Sequence, residues 1–229
     1  YLSEHSDTLK GILYAITIIL ALLPFRTMIC NEISSVMNGE KLTDFAVIQK
    51  YLWIAVLGLG AAFSLNFGMG LFSVVSNSTG YQQVADAQYG VSFFIGLFLY
   101  GVVSPVTEEI IYRGITYQRL KRTFGVIPAM LISALIFGGL HGNWVQAVYG
   151  TLMGILLAWV YEKYAGFLAP VLVHMAANLG VYSITYGSRL AGLSRNTCIM
   201  ATIVSVLITG VCFWHLNCRM SQNAGMMHN

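Results

Sequence analysis

The chain contains 229 residues, of which 57% are hydrophobic and only 9% carry a charge, and its formal net charge is +3. Soluble domains carry roughly 25% charged residues, so this chain has too few charges to cover a surface that faces water. The composition excludes an ordinary soluble domain and predicts an all-α protein, a polytopic transmembrane helical bundle in which residues 1–229 form a single membrane-embedded domain.

Apolar segments near the length of about 20 residues that a helix needs to cross a bilayer recur along the sequence. In chain order the predicted spans cover residues 9–30, 51–75, 91–120, 126–141, 144–161, 167–186 and 196–216. The count is seven, or eight if Pro105 divides the third span, because proline interrupts a helix. The fourth segment is short for a full crossing, so we expect a tight turn between it and the fifth.

Basic residues predict the orientation of the bundle, because cytoplasmic loops of membrane proteins are rich in lysine and arginine. A tight basic group, Arg119, Lys121 and Arg122, follows the third span. If this group is cytoplasmic, alternation of the spans places four more basic residues on the same side: Lys41, Lys50, Lys163 and Arg219. Three basic residues then lie outside: Lys10, Arg189 and Arg195. We therefore expect a multi-pass protein of the cell membrane with its charged motif near the cytoplasmic leaflet.

Other features of the sequence bear on its processing and its partners. The four cysteines, Cys30, Cys198, Cys212 and Cys218, show no paired spacing and are expected to be free thiols. Acidic rather than basic residues precede the first span, so a removed signal peptide is not expected. The expected surroundings are the lipid bilayer, whereas nucleic acid is not an expected partner, since phosphate binding needs more positive charge and an aqueous surface.

Three charged residues, Glu108, Glu109 and Arg113, lie within an otherwise apolar membrane segment. Ionisable groups at membrane depth are costly to place and usually mark function. Successive residues of a helix are about 100° apart, so Glu109 and Arg113, four residues apart, share a face and are expected to form an ion pair. Glu108 points elsewhere and has no such partner, which suits a general base. The alternative is a purely structural ion network.

Two further motifs carry polar residues at helical spacing. Phe137 and His141 are four residues apart, as are His174 and Asn178. Each motif alone has a simpler interpretation, either a histidine hydrogen-bonded to a neighbour or a His–Asn pair that bridges two helices. If three helices bring them to one cavity with Glu108, they supply a base, an orienting group and donors for an oxyanion.

The ordered motifs Glu-Glu-x-x-x-Arg, Phe-x-x-x-His and His-x-x-x-Asn, within residues 91–186, resemble the CPBP family of intramembrane proteases. That family includes the type II CaaX prenyl endopeptidases and the bacteriocin-processing or Abi proteins. The resemblance implies a prokaryotic endopeptidase that hydrolyses membrane-bound peptide or protein substrates in a cavity open to the cytoplasm. It assigns catalysis to Glu108 with His141 as the activating partner, the oxyanion to His174 and Asn178, and supporting roles to Glu109, Arg113 and Phe137.

Two mechanisms remain open at this point. In the favoured one, Glu108 and His141 activate a water molecule and no cofactor is needed. In the other, Glu108, His141 and His174 bind a Zn²⁺ ion that holds the water. Zinc hydrolases with such ligands commonly add a separate general base, and here that residue is Glu109, which Arg113 is expected to hold.

Two non-enzymatic interpretations also remain. A catalytically inactive scaffold, immunity protein or regulatory protein of the same fold keeps the helices without the chemistry, but here every motif position is present. A small transporter with a buried proton relay predicts paired broken helices in matching halves of the chain, and the sequence contains no such pair.

Overall fold

The structure, a computed structural model, describes residues 9, 12–13, 16–39, 44–72, 75, 77–164, 166–191 and 193–226. Within these residues the chain is helical and contains no strand, which confirms the predicted all-α membrane bundle. We number eight helices: α1 (Arg26–Gly39), α2 (Phe45–Leu71), α3 (Thr79–Tyr89), α4 (Phe93–Phe124), α5 (Val126–Gly139), α6 (Trp144–Tyr164), α7 (Leu168–Ala191) and α8 (Arg195–Met226). A short 3₁₀ turn, Leu23–Phe25, leads into α1.

Five of these helices are long and apolar enough to cross a membrane, namely α2, α4, α6, α7 and α8. Two shorter apolar helices, Ile16–Asn31 and α5, accompany them. The predicted count of seven to eight spans is therefore not confirmed in the described part of the chain. The 14 residues of α5 reach only about 21 Å at 1.5 Å per residue, less than the roughly 30 Å of a hydrocarbon core.

Helix α4 runs without a break through Pro105, so this residue does not divide the span. The helix accommodates the proline by widening into a π-helical turn, Leu99–Val103, directly before it. A second π-helical stretch, Ile110–Tyr117, follows the two glutamates. Such π-helical insertions are frequent at functional sites, and here they flank the charged motif on both sides.

Close helix pairs assemble the bundle around small residues. Gly58 of α2 faces the backbone carbonyl of Val173 in α7, and Gly138 of α5 faces the backbone carbonyl of Ala147 in α6, each so closely that a Cβ atom would overlap it. Small residues at such contacts let membrane helices approach. These two contacts fix α7 against α2 and α5 against α6, and α7 and α5 carry the histidine motifs.

Large apolar side chains cover the outside of the bundle, as expected for contact with lipid. Along α8, Val206, Leu207, Val211 and Trp214 are exposed, whereas Cys212 and Leu216 pack into the core with Ile54 of α2. All four cysteines are free, which confirms the prediction from their spacing.

Candidate active site

A cavity of about 170 Å³ lies among helices α2 to α7. Five of the predicted site residues line it: Glu108, Phe137, His141, His174 and Asn178. The other two, Glu109 and Arg113, are fully buried behind its wall. Three separate helices, α4, α5 and α7, thus bring the three sequence motifs to one cavity.

Glu108 presents its carboxylate to this cavity. Its side chain is 24% exposed, and the hydroxyl of Ser104, one helical turn earlier, donates a hydrogen bond to Oε1. The other oxygen, Oε2, lies 3.6 Å from Nε2 of His174. One carboxylate oxygen is therefore held in place while the second faces the histidine.

Glu109 is the paired carboxylate of the two. Its Oε1 accepts from Nη1 of Arg113 at 3.0 Å, the ion pair that the helical spacing predicted. The same oxygen lies 2.8 Å from Nδ1 of His174. Arg113 also donates through Nη2 to the carbonyl oxygen of Gly154 at 2.9 Å, which connects α4 to α6. A buried charge needs such partners to offset the loss of hydration.

The contact with Glu109 assigns the roles of the two ring nitrogens of His174. A carboxylate accepts, so Nδ1 carries the proton of that hydrogen bond. Nε2 is then the nitrogen on the side of Glu108. It donates to a ligand in the cavity when the ring is doubly protonated and accepts when the ring is neutral.

His141 has its own fixed orientation. Its Nδ1 lies 2.7 Å from the carbonyl oxygen of Phe137, and because a carbonyl only accepts, Nδ1 carries the proton. In the neutral ring Nε2 is then left as an acceptor, as a water-activating group requires. The ring packs against Gly150 of α6, where a Cβ atom would approach it within 3.4 Å.

Phe137 packs against both histidines. Its ring makes edge-on contacts with both, with centroids 4.9 Å from His141 and 5.7 Å from His174. The guanidinium of Arg113 lies 4.8 Å from the centre of the same ring, within reach of a cation–π interaction. Phe137 therefore contacts members of all three motifs.

The side chain of Asn178 makes a hydrogen bond to the backbone of the widened turn in α4. The N–H of Ser104 reaches back five residues to the carbonyl of Leu99. In the same register the carbonyl of Tyr100 would receive the N–H of residue 105, but Pro105 has none. Nδ2 of Asn178 donates to this carbonyl at 2.9 Å instead. One amide hydrogen of Asn178 is thereby committed to structure, and the second remains for a ligand.

Residues that the sequence did not single out complete the site. Ser104 holds Glu108, the carbonyls of Tyr100 and Gly154 accept from Asn178 and Arg113, and the ring of Tyr112 packs on Phe137. Only Ser104 carries a sequence signal, since it precedes Glu108 by four residues and so shares its helix face. The other contacts join different helices, which sequence spacing does not reveal.

The zinc alternative requires three converging ligands. Among the described residues, which include Glu108, His141 and His174, no three His, Cys, Asp or Glu side chains are grouped so as to hold a metal ion. The metal dependence of this site stays a prediction.

Comparison with known proteins finds a family match over the segment that carries the three motifs. Residues 90–180 match the model of the family described as type II CAAX prenyl endopeptidase Rce1-like. This segment contains Glu108, His141, His174 and Asn178.

Two curated bacterial proteins are also similar. "Putative membrane peptidase YdiL" of Bacillus subtilis (strain 168) is 28% identical over 147 residues, which are 62% of this chain and 57% of that protein. "UPF0177 protein YxdF" of Lactococcus lactis subsp. lactis (strain IL1403) is 24% identical over 111 residues, which are 48% of this chain and 59% of that protein. The chain thus spans less than two thirds of the length of these relatives. No solved structure matches it significantly.

The comparisons and the fold agree with the interpretation drawn from the three motifs. The chain is a multi-pass helical membrane protein whose residues 90–180 are similar to the Rce1-like type II CAAX prenyl endopeptidases, and the predicted resemblance to the CPBP family is confirmed.

Proposed function

We propose that this chain is an intramembrane endopeptidase that hydrolyses peptide bonds of membrane-associated proteins or peptides. The observation that carries the proposal is the contrast between the two adjacent glutamates. Glu109 is buried and paired with Arg113, whereas Glu108 faces a cavity that His141 and His174 also line. A structural ion network needs only Glu109, whereas a general base needs a carboxylate such as Glu108 that faces the cavity.

In the proposed reaction a water molecule lies between Glu108 and His141. Oε2 of Glu108 takes a proton from this water as its oxygen attacks the peptide carbonyl. The C–O bond forms, and the carbonyl π electrons move onto the oxygen to give a tetrahedral oxyanion. The C–N bond then breaks, Glu108 delivers its proton to the departing amine, and the carboxyl product keeps the water oxygen.

The oxyanion needs donors in the cavity wall. Nε2 of His174 and the second amide hydrogen of Asn178 fill this role in the proposal, and both side chains line the cavity. Donation by His174 requires the doubly protonated ring, because Nδ1 already donates to Glu109. One such donor contributes about 10²–10³-fold to catalysis.

The remaining cavity wall suits a peptide. Asn66, Gln88 and Gln146 offer amide groups that both donate and accept, as an extended peptide backbone does, and the rings of Tyr149 and Tyr182 offer apolar surface. Such a mixture of aromatic surface with a few polar groups is typical of ligand sites.

A second candidate function also has an observation in its favour. His174 and Asn178 both make hydrogen bonds that stabilise the fold, to Glu109 and to the carbonyl of Tyr100. A catalytically inactive scaffold, immunity or regulatory protein would keep these residues for that reason alone. Such a protein has no use for a Glu108 carboxylate that faces the cavity, so a cellular phenotype that survives Glu108→Gln supports this candidate.

The test is incubation of the purified protein in detergent with a peptide library, followed by mass spectrometry. Wild type is compared with Glu108→Ala, each with and without a strong chelator. Cleavage by the wild type alone, unchanged by the chelator in a protein that purifies without metal, is the expected result. Equal product from Glu108→Ala refutes the proposed catalytic role. Loss of wild-type cleavage with the chelator, and its return with Zn²⁺, supports the zinc alternative.

A further inference from the structure

The bundle has two distinct ends, and one of them collects basic residues. Nζ of Lys121, near the end of α4, lies 2.6 Å from Oε1 of Glu162 near the end of α6. Lys163 donates to Asn217 late in α8, and Nζ of Lys50, early in α2, lies 5.7 Å from the ring centre of Tyr164. These contacts gather the start of α2 and the ends of α4, α6 and α8, which together we call the basic end.

The cavity lies towards the opposite end. Its wall comes from the last turns of α2 with Asn66 and Met69, from α3, and from the turn after α5 with His141. The first turns of α6, with Val145 and Gln146, complete it. All of these helix ends point away from the basic end because successive helices alternate in direction. Glu108, 15 residues from the start of α4, lies about 22 Å along that helix at 1.5 Å per residue, near mid-depth.

The two ends differ in their number of lysine and arginine residues. The basic end carries Lys50, Arg119, Lys121, Arg122 and Lys163. At the cavity end, the connection between α2 and α4, residues 72–92, contains no lysine or arginine, and neither does the turn between α5 and α6, residues 140–143. The basic residues at this end are Arg189, near the end of α7, and Arg195, at the start of α8. Short loops rich in lysine and arginine remain in the cytoplasm.

We infer that the cavity opens on the extracytoplasmic face of the membrane and that its ligand is a peptide segment presented from the outer leaflet. The identity of the ligand as a peptide rests on the proposed function, whereas the side of the opening rests on the charge distribution and the helix directions. From the sequence alone we expected the site near the cytoplasmic leaflet, because the basic group follows the charged motif closely. The position of the cavity relative to that group is visible only in the structure. A substrate of this site is then an exported or membrane-anchored polypeptide with its scissile bond outside the cytoplasm.

Labelling of single cysteines in intact cells tests the side of the opening. In a variant without the four native cysteines, Ala87→Cys places a thiol on the exposed face of α3 at the cavity end, and Thr123→Cys places one at the basic end. A membrane-impermeant maleimide should label Ala87→Cys in intact cells and Thr123→Cys only after permeabilisation. Protection of Ala87→Cys in intact cells, or labelling of Thr123→Cys there, overturns the inference.

Cleavage by sealed membrane vesicles separates this inference from the proposed function. Impermeant library peptides added outside right-side-out vesicles should be cleaved, and the same peptides added to inside-out vesicles should remain intact. The reverse pattern overturns the inference but keeps the peptidase. Absence of cleavage in both preparations, with permeabilised vesicles also inactive, refutes the peptide ligand, and the maleimide labelling still decides the side.

Discussion

His174 holds its Nδ1 2.8 Å from Oε1 of Glu109, and this contact turns the other ring nitrogen towards the neighbouring carboxylate. The two adjacent glutamates thus meet opposite edges of one imidazole. Glu109 does not line the cavity and contacts His174 and Arg113, so we propose that it acts as a positioning residue. Glu108 alone of the pair reaches the cavity.

Replacing Glu109 should cost stability as well as activity. Glu109→Gln leaves the guanidinium of Arg113 buried without its counter-ion, and breaking a buried pair in this way costs about 3–5 kcal/mol. Thermal unfolding of the purified protein in detergent measures the change.

A matched control for Glu109→Gln is available within the same bundle. Glu162→Gln removes a carboxylate whose partner, Lys121, is 36% exposed, and pairs of that kind contribute about 1 kcal/mol or less. Equal losses in the two variants contradict the structural role given to Glu109.

Asn178 and Pro105 should be energetically coupled. Asn178→Leu removes the donor to the carbonyl of Tyr100, which costs about 1–3 kcal/mol when the group is shielded from water. Pro105→Ala supplies a backbone N–H five residues beyond Tyr100, in the register that Ser104 already follows. Unfolding of the two single variants and the double variant gives the coupling energy. We expect the second substitution to reduce the cost of the first, and strict additivity speaks against the account of the widened turn.

Ser104 should set the reactivity of Glu108 without controlling the fold. Ser104→Ala removes the hydrogen bond to Oε1, and a bond to a charged group contributes about 1.5–3 kcal/mol, equivalent to about 10–100-fold in rate. Ser104→Thr keeps the hydroxyl and should restore most of the activity. The readout is kcat for one peptide from the library, and an active Ser104→Ala variant would remove Ser104 from the site.

Close packing of α5 on α6 should position His141. A Cβ atom at Gly138 overlaps Thr151 and the carbonyl of Ala147, whereas nothing lies within 4 Å of one at the adjacent Gly139. Gly138→Ala therefore forces the two helices apart, with a stability cost of about 1–3 kcal/mol and up to about 10²-fold in rate from a displaced histidine. Gly139→Ala should behave as wild type in both assays. Similar behaviour of the two alanine variants contradicts this packing.

Sequence spacing predicted the side-chain contacts that form within a single helix. The four-residue separation of Glu109 and Arg113 predicted their ion pair, and the five-residue separation of Glu108 and Arg113 predicted that Glu108 points in another direction. The hydrogen bonds of His174 and Asn178 depend on how α7 packs against α4, which no spacing within one helix contains. The sequence also did not show that α4 continues through Pro105. A π-helical turn and a side chain from another helix compensate for the missing N–H of this proline.

The most direct test of the account is the rate at which Glu108→Gln cleaves one library-derived peptide, relative to wild type. Gln keeps the size of the side chain but does not accept a proton as a carboxylate does, so we expect a loss of about 10²–10⁴-fold with an unchanged unfolding temperature. Glu162→Gln, assayed beside it, should stay within about 2-fold of wild type, because this partly exposed pair lies at the basic end and does not line the cavity. A Glu108→Gln variant that folds and cleaves at the wild-type rate contradicts the account.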